Sequence, residues 1–342
     1  RVEDPRHQSY VIYSNHVLLM TRILSSIFYI NSMRNTSAEF NNDTSIENIG
    51  ILCGEKLEEL PYWETINDYL KRFSSDELQK VVWQLVHGLI RSRAFEDARI
   101  RGKYWQIIID GTQLYRSRED LGEHSLFCRK KKGTEEEYTE YYYYVLEAKL
   151  VLHEKIQVSI LTEFIENEKR DVEKQDCERN GAKRLMDRLK KEFPMLPICI
   201  CGDSLYASEG FFKDCRKNHW RYILRFKEGS IPSINQEHDT LKKLEKNRKE
   251  EAEGVYDYVT GIDYRGESIN MIEYEDTKEG KRFQFVTNLG ITWKNVKGTV
   301  ERGRWRWKIE NEGFNTQKKQ GYYLEHRFSH DCLLYTSDAA DD

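Results

Sequence analysis

The sequence predicts an α/β protein, and three observations carry this prediction. The first hundred residues place apolar side chains at helical spacing, short apolar runs then alternate with polar helical segments, and a mostly β-patterned segment precedes a last helix. At 342 residues, 39% of them hydrophobic, the chain can bury a large core and is long enough for one domain with an insertion or for two domains. We therefore expect a mixed sheet with flanking helices, preceded by a helical region.

Residues 1–100 form the predicted helical region. Apolar positions recur at helical spacing in 14–33 and 74–90, and Ser75 is predicted to cap the start of the second helix. The most apolar early segment, "VLLMTRILSSIFYI" at 17–30, is interrupted by threonine, arginine and two serines. We interpret it as a core helix, with a signal peptide as the weaker alternative.

The first strands of the predicted core, residues 101–227, follow this region. "YWQIIIDG" at 104–111 is a short apolar run that ends in Asp110 and a glycine, as expected of a buried strand. Two further strand-like runs, at 141–152 and 155–164, are separated by only two residues. This spacing predicts a tight hairpin.

Helices and strands then alternate. A polar helix is predicted at 176–192 and a buried strand at 196–203, which ends in Asp203; a helix at 208–217 and a strand at 221–227 complete the core. The resulting β-β-β-α-β-α-β order predicts parallel strands joined by helices. Such a sheet gathers functional side chains at one edge, where the strands end.

Residues 228–297 are predicted to be a mostly β insertion. It begins with a charged, helix-like piece at 239–253 and continues with three strand-like runs separated by glycine-containing turns. The chain then returns to a predicted helix at about 299–320, within a last catalytic-domain region at 298–331. No internal repeat or low-complexity linker separates these regions.

The last segment, "CLLYTSDAADD" at 332–342, is similar to the translation of a transposon-end adaptor used to prepare sequencing libraries. We expect it to be an adaptor scar with no partner in the fold, extended or poorly ordered. We also expect the chain to be a fragment or a processed form, because it begins at Arg1.

Composition and charge limit the class of protein. There is no run of 18 apolar residues that could span a bilayer, and the seven cysteines have neither disulfide nor zinc spacing, so we expect a soluble, cytoplasmic protein with reduced thiols. The net charge of −4 hides basic runs at 129–132, 216–227 and 302–308. These runs suit nucleic-acid binding, although a solvated surface remains the alternative for each of them.

Three acids stand out by position: Asp110 and Asp203, each at the end of a buried strand, and a glutamate on the last helix. A buried carboxylate is costly unless it is compensated, and a divalent cation is the usual compensation where several carboxylates converge. Two metal ions shared by carboxylates suit phosphodiester chemistry. The alternative is that Asp110–Gly111 and Gly202–Asp203 are ordinary strand-to-turn residues.

The phrases "IIIDGTQLYRS", "YVLEAKLV", "VSILTEFIENE", "KQDCE", "GDSLYAS", "FVTNL" and "RWRWKIENEGFNTQKKQGYYLEH" resemble those of bacterial insertion-sequence transposases of the IS4-like DDE group. The resemblance runs from about Val2 to Asp331. It implies a ribonuclease H-like catalytic domain and a metal site of Asp110, Asp203 and Glu310 that holds two Mg²⁺ ions, with Mn²⁺ as a substitute. The implied reaction is hydrolysis at the element's ends, followed by attack of the freed 3′ hydroxyl on target DNA.

The same resemblance implies double-stranded DNA as partner, in the form of terminal repeats and target, and a homodimer in the DNA complex. The predicted DNA contacts are Arg304, Arg306, Asn315 and Lys318. In the family's Tyr-Arg-Glu-Lys signature, Arg306 and Glu310 match the middle spacing. The outer positions of the signature differ: Gly303 stands where the family has Tyr, and Gln317 stands where it has Lys. Lys318 follows one residue after that position.

Glu310 and Glu312 cannot serve the same site, because residues two apart on a helix point in nearly opposite directions. Arg306, Glu310, Phe314 and Gln317 fall on one helical stripe, which favours Glu310 as the third acid. An ordinary i,i+4 ion pair between Arg306 and Glu310 is the alternative. For the whole chain, a catalytically inactive DNA-binding remnant and a stand-alone nuclease of the same fold remain open.

Overall fold

The structure is a computed structural model, and it describes residues 3–7, 9, 11–30, 32–169 and 172–319. The segment predicted to be an adaptor scar lies outside the described residues, as do the residues that follow Lys319 in the predicted last helix.

The amino-terminal part of the chain is helical, as predicted. Its helices are α1 (Asn15–Ile27), a short turn α2 (Met33–Asn35), α3 (Asp43–Cys53), α4 (Trp63–Arg72) and α5 (Ser75–Arg91). Val17, Leu18, Ile49 and Ile66 are fully buried between α1, α3 and α4. The cap of α5 is Ser74, whose hydroxyl accepts a hydrogen bond from the Asp76 amide, so the prediction that placed the cap at Ser75 was wrong by one residue.

Ten strands form one mixed sheet within the described residues. They are β1 (Trp105–Ser117), β2 (Leu126–Lys130), β3 (Tyr138–His153), β4 (Ile156–Ile165), β5 (Ile198–Gly202), β6 (Arg221–Phe226), β7 (Arg248–Glu251), β8 (Gly254–Tyr264), β9 (Glu267–Asp276) and β10 (Arg282–Thr287). The remaining helices are α6 (Glu178–Glu192), α7 (Glu209–Lys217), α8 (Pro232–Glu245), α9 (Val296–Arg304) and α10 (Asn315–Lys319).

Strands β1, β5 and β6 form the parallel centre of the sheet, and α6 and α7 connect them in the predicted order. Strand β3 pairs antiparallel with β1 along one side and with β4 along the other. The predicted hairpin between β3 and β4 is present. Strand β2, which lies within a basic stretch and was not predicted, pairs with the start of β3.

The predicted β insertion continues this sheet. Strand β10 pairs antiparallel with β6, and β9, β8 and β7 follow in order. The helix-like piece predicted at 239–253 was wrong in its bounds, because α8 ends at Glu245. Lys246 then adopts a left-handed conformation with φ of 49°, and the charged residues beyond it pair with β8 as strand β7.

Both faces of the sheet are covered. Ile107 and Ile109 of β1 point toward the helices α5, α6, α7 and α8, whereas Ile108 points to the opposite face, as the strand period of two requires. That opposite face is covered by α9 and by Ile309 and Phe314 of the last segment. The last helical segment therefore lies directly over the strands that carry the predicted acids.

The prediction of one regular helix at 299–320 was wrong. Helix α9 ends at Arg304, a π-helical segment spans Ile309–Phe314, and α10 follows it. A π-turn is wider than an α-turn, and such turns often occur at functional sites. In this segment Trp307 is 42% exposed, whereas Phe314 is buried and Trp305 packs against the core.

In the described part of the chain, no helix combines the length and the apolar character needed to cross a bilayer.

The six described cysteines are free thiols, and Cys199 and Cys201 are buried in β5.

Candidate active site

Two neighbouring parallel strands bring Asp110 and Asp203 to the same edge of the sheet. Ile108 of β1 is paired with Cys201 of β5, and each acid lies two residues farther along its own strand direction. The prediction that Asp110 lies at the end of its strand was wrong, because β1 continues to Ser117 and Asp110 itself is paired with Glu147 of β3. Asp110 is only 8% exposed. The Asp203 carboxylate accepts a 2.8 Å hydrogen bond from the Leu205 amide, which closes the turn after β5.

Arg306 links the third predicted acid to this edge. Its Nη1 atom lies 2.9 Å from Oδ2 of Asp110 and 2.7 Å from Oε1 of Glu310. The i,i+4 ion pair weighed as an alternative is therefore present, but the same guanidinium is shared with an acid on β1. Glu310 is half exposed, whereas Asp110 is buried.

Glu312 points elsewhere. Its Oε2 atom accepts a 3.0 Å hydrogen bond from Nε2 of Gln157 on β4, and its Oε1 atom lies 3.3 Å from Nζ of Lys308. Of the two neighbouring glutamates, Glu310 is thus the one whose carboxylate shares a partner with Asp110.

Burial and neighbouring charges change the pKa of Asp110. Burial raises the pKa of Asp110 from its ordinary 3.8 to about 7; the Arg306 guanidinium opposes the rise, and the charges of Glu310, Asp203 and Glu178 add to it. The site therefore concentrates negative charge where β5 ends beside β1, and Arg306 compensates part of it.

Glu178, the first residue of α6, is a fourth acid of this site that the sequence reasoning missed. Its carboxylate accepts hydrogen bonds from the phenols of Tyr144 and Tyr206, the former at 2.8 Å. Acidic residues are common in the first turn of any helix, so this position alone could not single it out. Its occurrence within "KQDCE" was the available signal.

The structure separates the four predicted DNA contacts. Arg304 lies 3.2 Å from Asp276 and over the rings of Tyr274 and Phe283, at the end of the insertion strands. Arg306 contacts the acids, and Lys318 donates a 3.0 Å hydrogen bond to the Gln113 carbonyl of β1. Asn315 begins α10 and is half-buried.

The two departures from the family signature have local causes. A β-carbon at Gly303 would lie 2.7 Å from the Phe285 ring, so the buried face of α9 has no room for a tyrosine there. Gln317 turns inward, and its Oε1 atom accepts a 3.1 Å hydrogen bond from Nζ of Lys149 on β3. Lys318, one residue later, donates to the Gln113 carbonyl of β1, three residues beyond Asp110.

The donor atoms at the site suit a hard divalent cation, since Asp110, Asp203 and Glu310 all offer carboxylate oxygens. Across the described ranges, however, no group of three or more acids, histidines or cysteines is close enough to hold an ion. The Arg306 guanidinium, rather than an ion, contacts the carboxylates of Asp110 and Glu310. The three carboxylates therefore fit a hard cation in donor type, and the Arg306 guanidinium lies between Asp110 and Glu310.

The large mixed sheet with flanking helices is consistent with the ribonuclease H-like architecture of DDE transposases. The sequence profile described as "Transposase DDE domain" matches residues 101–330, which is more than half of the chain. The chain therefore belongs to this transposase family. Comparison with curated proteins found no match.

Proposed function

We propose that this protein is an IS4-like DDE transposase, which cleaves DNA at the ends of an insertion sequence and joins the freed ends to target DNA. The observation that carries the proposal is the arrangement of Asp110, Asp203 and Glu310 in a member of a transposase family. Two acids lie at matching positions on adjacent parallel strands, and Arg306 binds the third acid to the first.

Asp110, Asp203 and Glu310 are the residues that would hold two Mg²⁺ ions, for which Mn²⁺ can substitute. When bound, such ions activate water or a 3′ hydroxyl and stabilise the leaving oxygen of the phosphodiester. Asp110 lies within β1 and Asp203 directly follows β5 at the centre of the sheet, whereas Glu310 lies on the half-exposed π-helical segment.

The DNA contacts in this proposal come from basic groups beside the acids. Arg306 and Lys318 lie next to β1, where they can meet the phosphates of a duplex placed over the strand ends. Asn315 lies on the same helical segment. Arg304 lies near β9 and would contact the DNA backbone farther from the acids.

The partners in this proposal are the terminal repeats of the element and the target DNA, which the protein would bind as a homodimer. The protein would act in the bacterial cytoplasm, where it would bind the DNA of the nucleoid. We also propose that the chain divides into four regions: a helical region, a core, an insertion and a last helical region.

The test uses the DNA that flanks the gene, searched for inverted repeats. The full chain is incubated with linear duplexes that carry these repeats and with a supercoiled target, in Mg²⁺, in Mn²⁺ and in chelator. The proposal predicts ion-dependent cuts at the repeat ends and joined products.

Other results would identify other functions. Cutting without joining would indicate a stand-alone nuclease, and binding without cutting in either ion would indicate an inactive DNA-binding remnant. Either result would overturn the proposal.

A further inference from the structure

Two tyrosines from different parts of the fold converge on Glu178. Tyr144 lies on β3, and its phenol donates a 2.8 Å hydrogen bond to Oε2 of Glu178. Tyr206 lies in the turn after β5, is 2% exposed, and donates to Oε1 of the same carboxylate. Each carboxylate oxygen thus holds one phenol.

The glycines beside the two aspartates make this convergence possible. A β-carbon at Gly111 would lie 2.2 Å from the Tyr144 phenol oxygen, and one at Gly202 would lie 2.6 Å from Cδ2 of Tyr206. The tyrosine rings therefore lie directly on the backbone of β1 and β5, next to Asp110 and Asp203. Gly111 lies within β1, so the alternative that Asp110–Gly111 is a strand-to-turn pair was wrong, and both glycines are close-contact sites for these rings.

The helix that carries Glu178 is itself anchored. Arg184, almost two turns farther along α6, donates to Asp176 at 2.7 Å and to Glu163 of β4 at 2.5 Å. Bonds to charged groups of this kind hold a helix more firmly than neutral ones. Glu178 therefore projects from a fixed helix start toward the strand ends.

We propose that Glu178 is a positioning residue, which holds Tyr144 against Gly111 of β1 and Tyr206 against Gly202 of β5 and so sets the relative placement of Asp110 and Asp203 for cation binding. This inference rests on the proposed function, because it assigns Glu178 to the same metal site. Outer partners that orient ligand-bearing groups typically change metal affinity by about 10- to 100-fold when they are removed.

The test measures Mn²⁺ binding to the full chain without DNA, from the electron paramagnetic resonance signal of free Mn²⁺. The variants are Glu178→Gln and the double variant Tyr144→Phe/Tyr206→Phe, which keeps every carboxylate and both rings. We expect both to weaken Mn²⁺ binding by about 10-fold or more. The thermal unfolding midpoint of the double variant should match that of the control Tyr143→Phe, which loses a buried phenol hydrogen bond to the Leu121 carbonyl away from the acids.

If the double variant does not fold, the single variants Tyr144→Phe and Tyr206→Phe are measured instead. We expect each of them to lose Mn²⁺ affinity several-fold. Unchanged Mn²⁺ affinity in the tyrosine variants would overturn the inference, even if Glu178→Gln bound poorly, because Glu178 would then act as a direct ligand. Asp110→Asn separates this failure from that of the proposed function. Wild-type protein that bound no Mn²⁺, or binding that Asp110→Asn left intact, would overturn both.

Discussion

The Nη1 atom of Arg306 donates a 2.9 Å hydrogen bond to the carboxylate of Asp110, a residue 196 positions earlier in the chain. The same atom lies 2.7 Å from Glu310. A buried acid in the middle of β1 is thus compensated by a cation from the last described helical segment, which also carries the third acid. This contact ties the end of the chain to the centre of the sheet.

The first prediction concerns stability and pH. The pKa of Asp110 is raised to about 7 from an ordinary value of 3.8, so the folded protein keeps a proton that the unfolded chain releases between these values. Asp110 therefore lowers the free energy of unfolding as the pH rises through this window. Asp110→Asn cannot ionise, and relative to wild type it should gain up to about 3 kcal/mol between about pH 5 and about pH 8.

Urea unfolding in chelator at several pH values measures this difference. Asp68→Asn, a change at an exposed position on α4, is the control and should show no such trend. A constant difference between Asp110→Asn and wild type across the pH range would show that Asp110 ionises normally in the fold.

The second prediction concerns DNA binding. Affinity for duplex DNA should fall steeply with salt between about 50 and 200 mM, because contacts to phosphates release counterions. Lys318→Gln and Arg306→Gln should each reduce the slope of log affinity against log salt by about 1. Arg304→Gln should have a smaller effect, since this side chain is bound to Asp276 and lies against two aromatic rings.

Fluorescence anisotropy with a labelled duplex at a series of salt concentrations gives these slopes. A flat salt response of the wild type would argue against DNA binding. A larger loss from Arg304→Gln than from Lys318→Gln would place the DNA near the insertion strands instead of the acids.

The sequence predicted much of this architecture because its signals are local. Apolar runs ending in Asp110 and Asp203 identify buried strands, and helical spacing identifies α1 and α5, since burial of one face requires these periods. The order of strands and helices then limits the sheet topology to few arrangements.

The remaining features depend on contacts that sequence spacing does not encode. The π-helical segment departs from the expected regular helix where Gly313 lies over Lys149, with a β-carbon at 313 only 2.8 Å from the lysine Cε. Glu178 joins the site through two tyrosines from distant positions in the chain, and Arg306 bonds to acids on two elements. Such convergence appears only when the chain is folded.

The third prediction concerns Lys149, which is 4% exposed beneath the last segment. Its Nζ atom contacts Ser159 at 2.8 Å, Gln317 at 3.1 Å and Glu147 at 3.4 Å, and burial lowers its pKa. Removal of one member of a buried ion pair leaves the other uncompensated. Lys149→Met should therefore lower the free energy of unfolding by about 2 to 4 kcal/mol.

Denaturant unfolding measures this loss, and Lys249→Met on exposed β7 is the matched control, expected to change stability by no more than about 0.5 kcal/mol. Equal effects of the two substitutions would mean that Lys149 is not held by a buried network.

The central claim is that Asp110, Asp203 and Glu310 form the catalytic site, and the most direct measurement compares Glu310→Gln with Glu312→Gln in Mg²⁺-dependent cleavage of the element's ends. Glu310 shares Arg306 with Asp110, whereas Glu312 binds Gln157 and Lys308. We predict that Glu310→Gln abolishes cleavage while folding and DNA binding persist, and that Glu312→Gln keeps most of the activity. Loss of cleavage in Glu312→Gln with activity retained in Glu310→Gln would contradict the assignment of the third acid.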